Sequence, residues 1–406
     1  MAEKPLQIIH LGISGFPHNV TLAPIQKSYL IYKGLVEAGA EVLYINTIPQ
    51  ASPGGEYDGN TQGSVDGIKY VYTCGTPYRS KSFLKRNLTK LKGGLREAFL
   101  LLSLSRRQKI DAAVLYTAHF STLLYYRAWS KILGFPMVMN YVEYRSVFET
   151  KSRRNKISWY LTDRFAPRLV DGILPISEFL INHVKERSST PYFKVPTLCD
   201  FTRYTSLERS ADSPRYLLYC GSAAYYEVAN FTIASFERLT SDSDIFLYLI
   251  INGWPQQIDK VHQRIAQSPK SSLIQTFSNV SNEDYARLLF QAEGLLIPLR
   301  PNVQDTARFP NKVGEYVASG NPMVTTSVGE IAYYFQDGVS AFVAERYEEE
   351  AYAQKLQELV DDPHRAQSVG KQGQQIGHQK FDYRANGENM LEFLRQIARP
   401  KKLQNH

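Results

Sequence analysis

Short apolar segments rich in β-branched and aromatic residues alternate with longer helical patterns along most of the chain, and this alternation constrains the fold more than any other feature. In the first half, the predicted strands are 6–14, 40–47, 68–73, 112–117, 136–142 and 172–177. Apolar residues recur every three or four positions within 25–38, and Gly39 follows, which predicts a helix and its end. Strands that are apolar almost throughout indicate a parallel sheet with helices on both faces.

The same alternation returns in the second half, after a polar segment. Residues 200–214 lack apolar periodicity and end in a proline, so we place the domain linker there. The second set of predicted strands is 216–221, 245–253, 272–277, 294–299, 322–326 and 341–344. We therefore predict two doubly wound, Rossmann-like α/β domains, 1–205 and 206–384, with a C-terminal helix near 385–406 packing back on the first. Ligands of such sheets bind outside the carboxyl ends of the strands.

The composition excludes several classes of protein. The chain has 406 residues, and the 43% that are hydrophobic suffice for two folded cores and are too many for a disordered chain. Cys74, Cys199 and Cys220 are widely separated, which favours neither a disulfide framework nor a zinc site. No apolar run approaches the roughly 20 residues that cross a bilayer. We therefore expect a soluble protein of a reducing compartment, the cytoplasm, that needs no metal or other cofactor.

The segment 308–329 carries the strongest indication of chemistry. Pro310 and Gly320 are typical of the start and the end of a short helix. Lys312 and Glu315 lie three residues apart near the start of that helix, where free backbone amides attract phosphate. The pattern predicts that Lys312 and the helix start bind a diphosphate and that Glu315 accepts hydrogen bonds from ribose hydroxyls.

The same region resembles a known family. Residues 315–344, EYVASGNPMVTTSVGEIAYYFQDGVSAFVA, resemble the nucleotide-sugar signature of the retaining family 4 glycosyltransferases. Residues 217–239, LLYCGSAAYYEVANFTIASFERL, resemble the opening of that family's donor domain, and ILPISEFL followed by VPTLCD resembles the end of its acceptor domain. The resemblance implies the GT-B architecture, in which two doubly wound domains face each other across a cleft. It also implies transfer of a sugar, with retention, from a nucleoside diphosphate sugar to a hydroxyl.

The chain departs from the family at two places. Members carry a second glutamate eight positions before the ribose-binding one, where this chain has Ala307. They also carry an arginine and a lysine after the first glycine turn of the donor domain, and residues 222–230 contain neither. The motif around Lys312 resembles a subgroup with the pattern P-x-K-x-x-E-Y. The candidates for the missing charge are Lys312, Arg308 and Arg300, with Asp305 as the candidate for the sugar hydroxyls.

Further donor-site candidates lie in turns and at strand ends. Gly12 and Gly15 follow the first strand and allow close backbone approach, although the same turn also occurs without a ligand. Glu330 either contacts the phosphate and sugar or caps a helix. The resemblance assigns these residues to the nucleotide-sugar site: Gly15, Gly221, Ser222, Asn252, Gly329 and Glu330.

Two candidates for catalysis follow predicted strands of the first domain. The resemblance places an active-site histidine near His119, for which a helix cap or a surface position is the alternative. Glu143 is placed to position or deprotonate an acceptor hydroxyl, unless it only pairs with Arg145 or Arg153. Lys312 is the third catalytic candidate, because negative charge grows on the leaving diphosphate.

The positive charge is concentrated in one stretch. Between Arg79 and Lys109 there are ten lysines or arginines and one acid, Glu97, interleaved with leucine and phenylalanine. One or two amphipathic helices of this kind either lie on anionic lipid at the inner face of a membrane or pack on their own domain. No recognition motif accompanies the charge, which argues against nucleic acid.

The sequence thus leaves three functional interpretations. The first is a glycosyltransferase whose acceptor is a glycan or a lipid-linked sugar in cell-surface polysaccharide or glycoconjugate assembly. The missing family cations and glutamate support a second, a non-catalytic GT-B protein that binds a glycosyltransferase or a glycan. The third interpretation has the same fold but a different reaction, that of an epimerase or phosphorylase, and no motif in the sequence supports it.

Overall fold

The computed structural model describes residues 4–19, 22–51, 59–204, 207–210, 214–240 and 245–398. The strands within them are β1 Gln7–Gly12, β2 Glu41–Asn46, β3 Gln62–Val65, β4 Ile68–Tyr72, β5 Ala112–Tyr116, β6 Met137–Tyr141, β7 Gly172–Pro175, β8 Tyr216–Ser222, β9 Phe246–Asn252, β10 Ile274–Phe277, β11 Gly294–Ile297, β12 Met323–Thr326 and β13 Phe342–Ala344.

The α-helices of the same residues are α1 Ala23–Glu37, α2 Phe83–Arg106, α3 Phe120–Leu133, α4 Arg153–Leu169, α5 Glu178–Lys185, α6 Tyr226–Glu237, α7 Pro255–Ala266, α8 Asn282–Gln291, α9 Val303–Ala307, α10 Asn311–Ser319, α11 Ile331–Tyr334, α12 Glu349–Asp361, α13 Pro363–Phe381 and α14 Tyr383–Ala398. Short 3-10 helices occur at Arg145–Val147, Phe201–Tyr204, Ala223–Tyr225 and Ser271–Leu273. No helix of the described residues is both long and apolar enough to cross a membrane.

Contacts divide the chain into two compact units. Unit 1 comprises Met1–Leu198 and Tyr383–His406, and unit 2 comprises Cys199–Asp382. The predicted boundaries are 205 and 384. The first boundary falls earlier because Phe201 and Tyr204, inside the predicted linker, are buried in unit 2, where Phe201 stacks on His378 with ring centroids 3.9 Å apart. Residues 205–206 and 211–213 of that linker lie outside the described residues.

Unit 1 is built on a seven-stranded sheet of order β3-β4-β2-β1-β5-β6-β7. All neighbouring strands are parallel except β3 and β4, which form an antiparallel hairpin that the sequence analysis missed. Ile8, Val114, Val138 and Leu174 of the central strands belong to one core cluster with residues of α1 and α14. The strands are buried on both faces, which explains why they are apolar almost throughout.

Two glycines bring α14 against α1. A side chain at Gly34 would overlap the carbonyl oxygen of Tyr383, and one at Gly387 would overlap the backbone of Gly34. The Tyr383 hydroxyl donates to Glu37 at 2.6 Å. The last described helix therefore belongs to unit 1, although unit 2 separates it in sequence from the rest of that unit.

Unit 2 is built on a six-stranded parallel sheet of order β10-β9-β8-β11-β12-β13. Leu217, Leu249, Leu296 and Val324 of the inner strands lie in one core cluster with residues of α6 and α12. If the antiparallel β3 is left out, the two sheets have the same order of strands. In each, the chain order reverses at the first strand of the unit: β1 lies between β2 and β5, and β8 lies between β9 and β11. The prediction of two Rossmann-like α/β domains is confirmed.

Candidate functional site

The reversal of strand order in unit 2 lies between β8 and β11, the place where open α/β sheets bind their ligands. The chain leaves β8 at Ser222 and enters the 3-10 helix Ala223–Tyr225. It leaves β11 at Ile297 and passes through residues 298–310 into α10. The charged residues of the segment 308–329, and those of the residues just before it, lie around these two strand ends.

An ion-pair cluster joins the two sides of this switch point. Arg300 binds the buried Asp305 through two hydrogen bonds, from Nε at 2.8 Å and from Nη2 at 3.1 Å, and also pairs with Glu227. Arg308 Nη2 pairs at 2.6 Å with Asp305 Oδ1, the oxygen that also accepts from Arg300 Nη2. Both guanidinium groups lie on the ring of Tyr225, with their carbons 5.1 Å and 5.5 Å from its centroid.

The cluster fixes the charge of its members. Burial acts to raise the pKa of Asp305, but its hydrogen bonds to Arg300 and the charge of Arg308 outweigh burial and lower that pKa. The same bonds raise the pKa of Arg300. Because the Asp305 carboxylate already accepts from the Arg300 side chain and amide and pairs with Arg308, few of its lone pairs remain for a sugar hydroxyl.

Lys312 differs from both arginines. It is half-buried in the first turn of α10, and within the described chain its ammonium has no hydrogen-bond or ion-pair partner. The helix starts after Pro310, whose side chain makes no capping hydrogen bond. Phe309 fixes this start by stacking on Tyr334, with the ring planes 3° apart. A cation without an ion-pair partner in the described chain thus lies in the first turn of α10.

Glu315 lies one turn further along α10 and is buried. The Tyr285 hydroxyl of α8 donates to its Oε2 at 2.8 Å. Both Lys312 and Glu315 act on the buried thiol of Cys220 near the end of β8, whose pKa burial raises to about 12 while the charge of Lys312 opposes that rise. The two side chains therefore lie close to the end of β8, beside the switch point.

The other predicted donor-site residues lie at strand ends of the same sheet. Ser222 and Asn252 end β8 and β9 and are paired in register, and the Asn252 side chain accepts from the Asn279 amide at 2.9 Å. Gly221, in the same register, leaves no room for a side chain beside Tyr219. All three lie on the β8 side of the switch point.

The turn after β12 approaches α9. Gly329 has φ +57°, and a side chain there would lie 3.0 Å from the carbonyl oxygen of Thr306. Glu330, at the N-cap position of α11, is buried and makes no side-chain capping hydrogen bond, so the capping alternative does not apply. The turn therefore closes against the segment that carries Asp305.

In unit 1, strand order reverses between β1 and β5. Gly12, with φ +105°, passes so close to β5 that a side chain would overlap the Tyr116 carbonyl oxygen. The Gly15 amide donates to the buried side chain of Asn46 at 2.7 Å, and Ser14 Oγ accepts from the Thr47 amide at 3.0 Å. The Gly15 amide therefore already has a hydrogen-bond partner. A ligand at this turn could lie close to the backbone but could not accept a hydrogen bond from that amide.

His119 and Glu143 lie after the ends of β5 and β6. His119 is at the N-cap of α3, its side chain makes no capping hydrogen bond, and burial with the charges of Arg145 and Arg154 lowers its pKa. The Glu143 carboxylate pairs with Arg145 at 2.6 Å, so one predicted alternative for it, the salt bridge with Arg145, exists. Neither the Glu143–Arg145 pair nor the position of His119 shows by itself that these residues take part in a reaction.

A small cavity lies between these strand ends, lined by Tyr116, Asn140, Glu143, Arg145 and other residues of β5, β6 and α4. Burial and the neighbouring Glu143 raise the pKa of Tyr116 to about 12. The side-chain oxygen of Asn140 is buried and, among the described residues, has no hydrogen-bond partner. A ligand hydroxyl would satisfy it.

The sequence does not single out several contributors. Tyr225 and Glu227 lie in the stretch 222–230, of which only Ser222 is a predicted site residue. Tyr285 is separated from Glu315 by 30 positions and gave no local signal. Among the described residues, no group of three histidines, cysteines or carboxylates could hold a metal ion.

Residues 214–362, most of unit 2, match the family described as Glycosyl transferases group 1. No curated protein matches the chain. The match includes β8 to α12, and therefore the whole candidate site of unit 2. Most of unit 2 is thus similar to the domain that this family shares.

Solved structures extend the likeness to the whole chain. Alr3699/HepE of Anabaena, solved with UDP and glucose, has a TM-score of 0.68 at 14% identity, covering 96% of this chain and 100% of its own. Sucrose-phosphate synthase of Thermosynechococcus elongatus has a TM-score of 0.73 at 14% identity, covering 97% and 99%. WaaG, a glycosyltransferase of lipopolysaccharide biosynthesis, has a TM-score of 0.63 at 14% identity, covering 95% and 99%. The fold is GT-B.

Proposed function

We propose that the protein transfers a sugar, with retention at the anomeric carbon, from a nucleoside diphosphate sugar to a hydroxyl of a glycan or of a lipid-linked sugar. The setting is the assembly of cell-surface polysaccharide or another glycoconjugate on the cytoplasmic side of a membrane. The group 1 domain at 214–362 and the GT-B fold support the reaction class. The HepE structures with UDP or UDP-glucose support a nucleotide sugar as the donor.

The observation that carries the proposal is Lys312, which lies in the first turn of α10, one turn from Glu315, and has no ion-pair partner in the described chain. Burying a diphosphate in a cleft requires compensation of its charge. Arg300 and Arg308 are already paired with carboxylates, so Lys312, together with the positive end of the helix dipole, is left to compensate it. Glu315, oriented by Tyr285, accepts from the ribose hydroxyls.

The same groups serve the chemical step. As the bond to the anomeric carbon breaks, negative charge grows on the leaving diphosphate. Lys312 therefore stabilises the transition state more than it stabilises the bound donor. Asp305 acts differently from the expectation that it binds sugar hydroxyls. Its bonds to Arg300 and Arg308 fix the segment after β11, and Arg300 in turn pairs with Glu227 after β8, so Asp305 positions the site.

The acceptor residues of the proposal are those at the ends of β5 and β6. Glu143 and the unpaired oxygen of Asn140 accept hydrogen bonds from acceptor hydroxyls, and the neutral His119 contributes a polar ring without charge. Tyr116 stays protonated at neutral pH and can donate a hydrogen bond.

The test is incubation of the purified chain with a panel of nucleotide sugars, with and without simple glycoside acceptors. We expect slow donor hydrolysis with one sugar of the panel, acceptor-dependent release of nucleoside diphosphate, and a product whose anomeric configuration by NMR equals that of the donor. A product of inverted configuration would refute retention, and it would leave the transfer itself established.

The competing function is a non-catalytic GT-B protein that binds a partner enzyme or a glycan. The loss of both cations from 222–230 and the pairing of Arg300 and Arg308 favour it. Calorimetry and thermal unfolding with the same panel separate the two functions. Binding of no nucleotide or nucleotide sugar would favour the non-catalytic protein, and binding with turnover would exclude it.

A further inference from the structure

Three residues fix the orientation of α2 on unit 1. Gly93, Glu97 and Leu101 are the residues of this helix that are buried, and they recur every four positions. A side chain at Gly93 would overlap the Thr47 carbonyl oxygen, so the helix touches the loop after β2 there. Glu97 accepts from Thr47 Oγ1 at 2.7 Å and from the Tyr126 hydroxyl at 2.8 Å. This inward seam prevents the helix from turning another face to the core.

The most apolar stripe of α2 faces the other way. Its members are exposed by more than half: Leu84 79%, Leu88 52%, Leu91 62%, Leu95 56% and Phe99 71%. Spacings of four, three, four and four residues place them on one side of the helix, and at about 100° per residue this side is opposite the inward seam. The stripe extends over about 22 Å at 1.5 Å per residue. These five side chains do not pack on unit 1, whereas the helix that carries them packs on it through the inward seam.

The charge of α2 is arranged around this stripe. Lys85, Lys92 and Arg96 are exposed along one flank, and Lys81 before the helix and Lys90 within it are also exposed. Within the described chain, none of these cations forms an ion pair. The single acid of the segment, Glu97, points inward, where burial raises its pKa. The outer surface of the helix therefore carries apolar and cationic groups without a compensating carboxylate of its own.

These features select one occupant among the surfaces that could cover the stripe. A second copy of the chain would bring its own lysines against Lys85 and Lys92, which repel. A protein partner would need an acidic rim around an apolar groove. An anionic bilayer offers both components at once, because acyl chains accept the leucines and phenylalanine while headgroup phosphates attract the flanking cations.

We propose that the outward face of α2 docks the protein on an anionic lipid bilayer, with the helix lying in the plane of the headgroups. The stripe enters the interface, and Lys85, Lys92 and Arg96 contact phosphate. Docking of this kind does not depend on the glycosyl transfer proposed above, since none of these residues belongs to the candidate sites.

The test is sedimentation of the full chain with sucrose-loaded vesicles. One set of vesicles contains phosphatidylcholine alone, and the other also contains about 30% phosphatidylglycerol, an anionic lipid. We expect binding to the anionic vesicles that is weaker at high salt and little binding to phosphatidylcholine alone. The L88Q/L95Q variant should lose roughly 100-fold or more in partition coefficient, and K85Q/K92Q roughly 10-fold or more at low salt.

The matched control is I132Q/I157Q, which replaces two exposed isoleucines on α3 and α4. It should keep parental binding, and all variants should keep the parental circular dichroism and unfolding temperature, because the changed side chains are exposed. Parental protein that ignores anionic vesicles, or an L88Q/L95Q variant that binds as the parent does, overturns the proposal. So does equal loss in the control, or a dimer in sedimentation equilibrium that L88Q/L95Q alone dissociates.

Discussion

The two units share an order of strands, but their switch points differ in chemistry. In unit 2, residues from both sides of the switch point are charged and joined by ion pairs, and Lys312 has no ion-pair partner among the residues that the structure describes. In unit 1, the turn after β1 is closed by Asn46 and Ser14 through neutral hydrogen bonds. Beyond it lie the neutral His119 and one carboxylate that already has a cation.

The contrast separates what topology provides from what side chains provide. Topology places loops at the same edge of both sheets. In unit 2, that edge offers Lys312, a cation without an ion-pair partner in the described chain, which suits an anion. In unit 1, that edge offers the neutral His119, the Glu143–Arg145 pair and the hydrogen-bond groups of the small cavity, which suit the hydroxyls of a sugar. Four substitutions test this division.

Lys312→Ala should have the largest effect. Loss of the unpaired cation removes charge compensation for the leaving diphosphate, and we expect kcat/KM to fall by about 100-fold or more, about 2.7 kcal/mol. Steady-state transfer or hydrolysis of the active nucleotide sugar measures it. Lys312→Arg should recover part of the activity, and Lys371→Ala, an exposed lysine of α13, should match the parent. A Lys312→Ala variant with parental donor affinity and kcat would end the division proposed here.

Glu315→Gln should have the next largest effect. The neutral amide accepts more weakly from ribose hydroxyls, and we expect nucleoside diphosphate to bind about 10-fold or more weakly, because hydrogen bonds to charged groups contribute about 1.5–3 kcal/mol. Calorimetric titration measures the Kd. Inorganic pyrophosphate, which has no ribose, should bind the variant and the parent equally, and Glu350→Gln is the exposed control. Equal weakening of both ligands would place Glu315 at the phosphates.

Glu143→Gln probes the unit 1 side. Its amide keeps an acceptor for Arg145 but loses the charge that holds an acceptor hydroxyl, so we expect kcat or the acceptor KM to worsen by about 10-fold. Donor affinity, measured by calorimetry, should stay parental. Glu149→Gln, an exposed residue after the same strand, is the control. A change in donor affinity with unchanged transfer would show that this side also binds the nucleotide.

Arg154→Gln should have the smallest effect. Burial and the positive charges of Arg145 and Arg154 lower the pKa of His119, so removing one cation raises that pKa toward its ordinary value. The acid limb of the pH profile, where His119 becomes protonated, should move to higher pH, with little change at pH 8. NMR titration of the imidazole checks the direction. A limb that does not follow the imidazole titration would separate His119 from catalysis.

Much of the fold followed from local pattern. Strands buried on both faces are apolar almost throughout, and a short helix between Pro310 and Gly320 needs no long-range information. The hairpin strand β3, with the sequence QGSV, escaped because it lies at a sheet edge and buries little apolar surface. The first domain boundary was misplaced because aromatic residues within a polar stretch, Phe201 and Tyr204, gain their burial only from distant helices.

The site was less predictable than the fold, for a related reason. Local spacing identified Lys312 and Glu315, because helix position alone brings them to one end of α10. It could not show that Glu227 and Asp305 neutralise Arg300, since those partners lie 73 and 5 positions away on separate elements. The amphipathic pattern of α2 likewise did not show which face of the helix packs on unit 1. Tertiary contacts such as the one at Gly93 show which face is turned outward.

The close approach of Gly34 and Gly387 has a consequence for biosynthesis. Unit 2 is one uninterrupted stretch of chain, whereas unit 1 acquires α14 only after all of unit 2 has been translated. On a ribosome, the later sheet can thus mature while the earlier one still waits for its final helix. Bulky substitutions at either glycine should accordingly trap nascent chains whose second sheet is native and whose first remains exposed to chaperones and proteases.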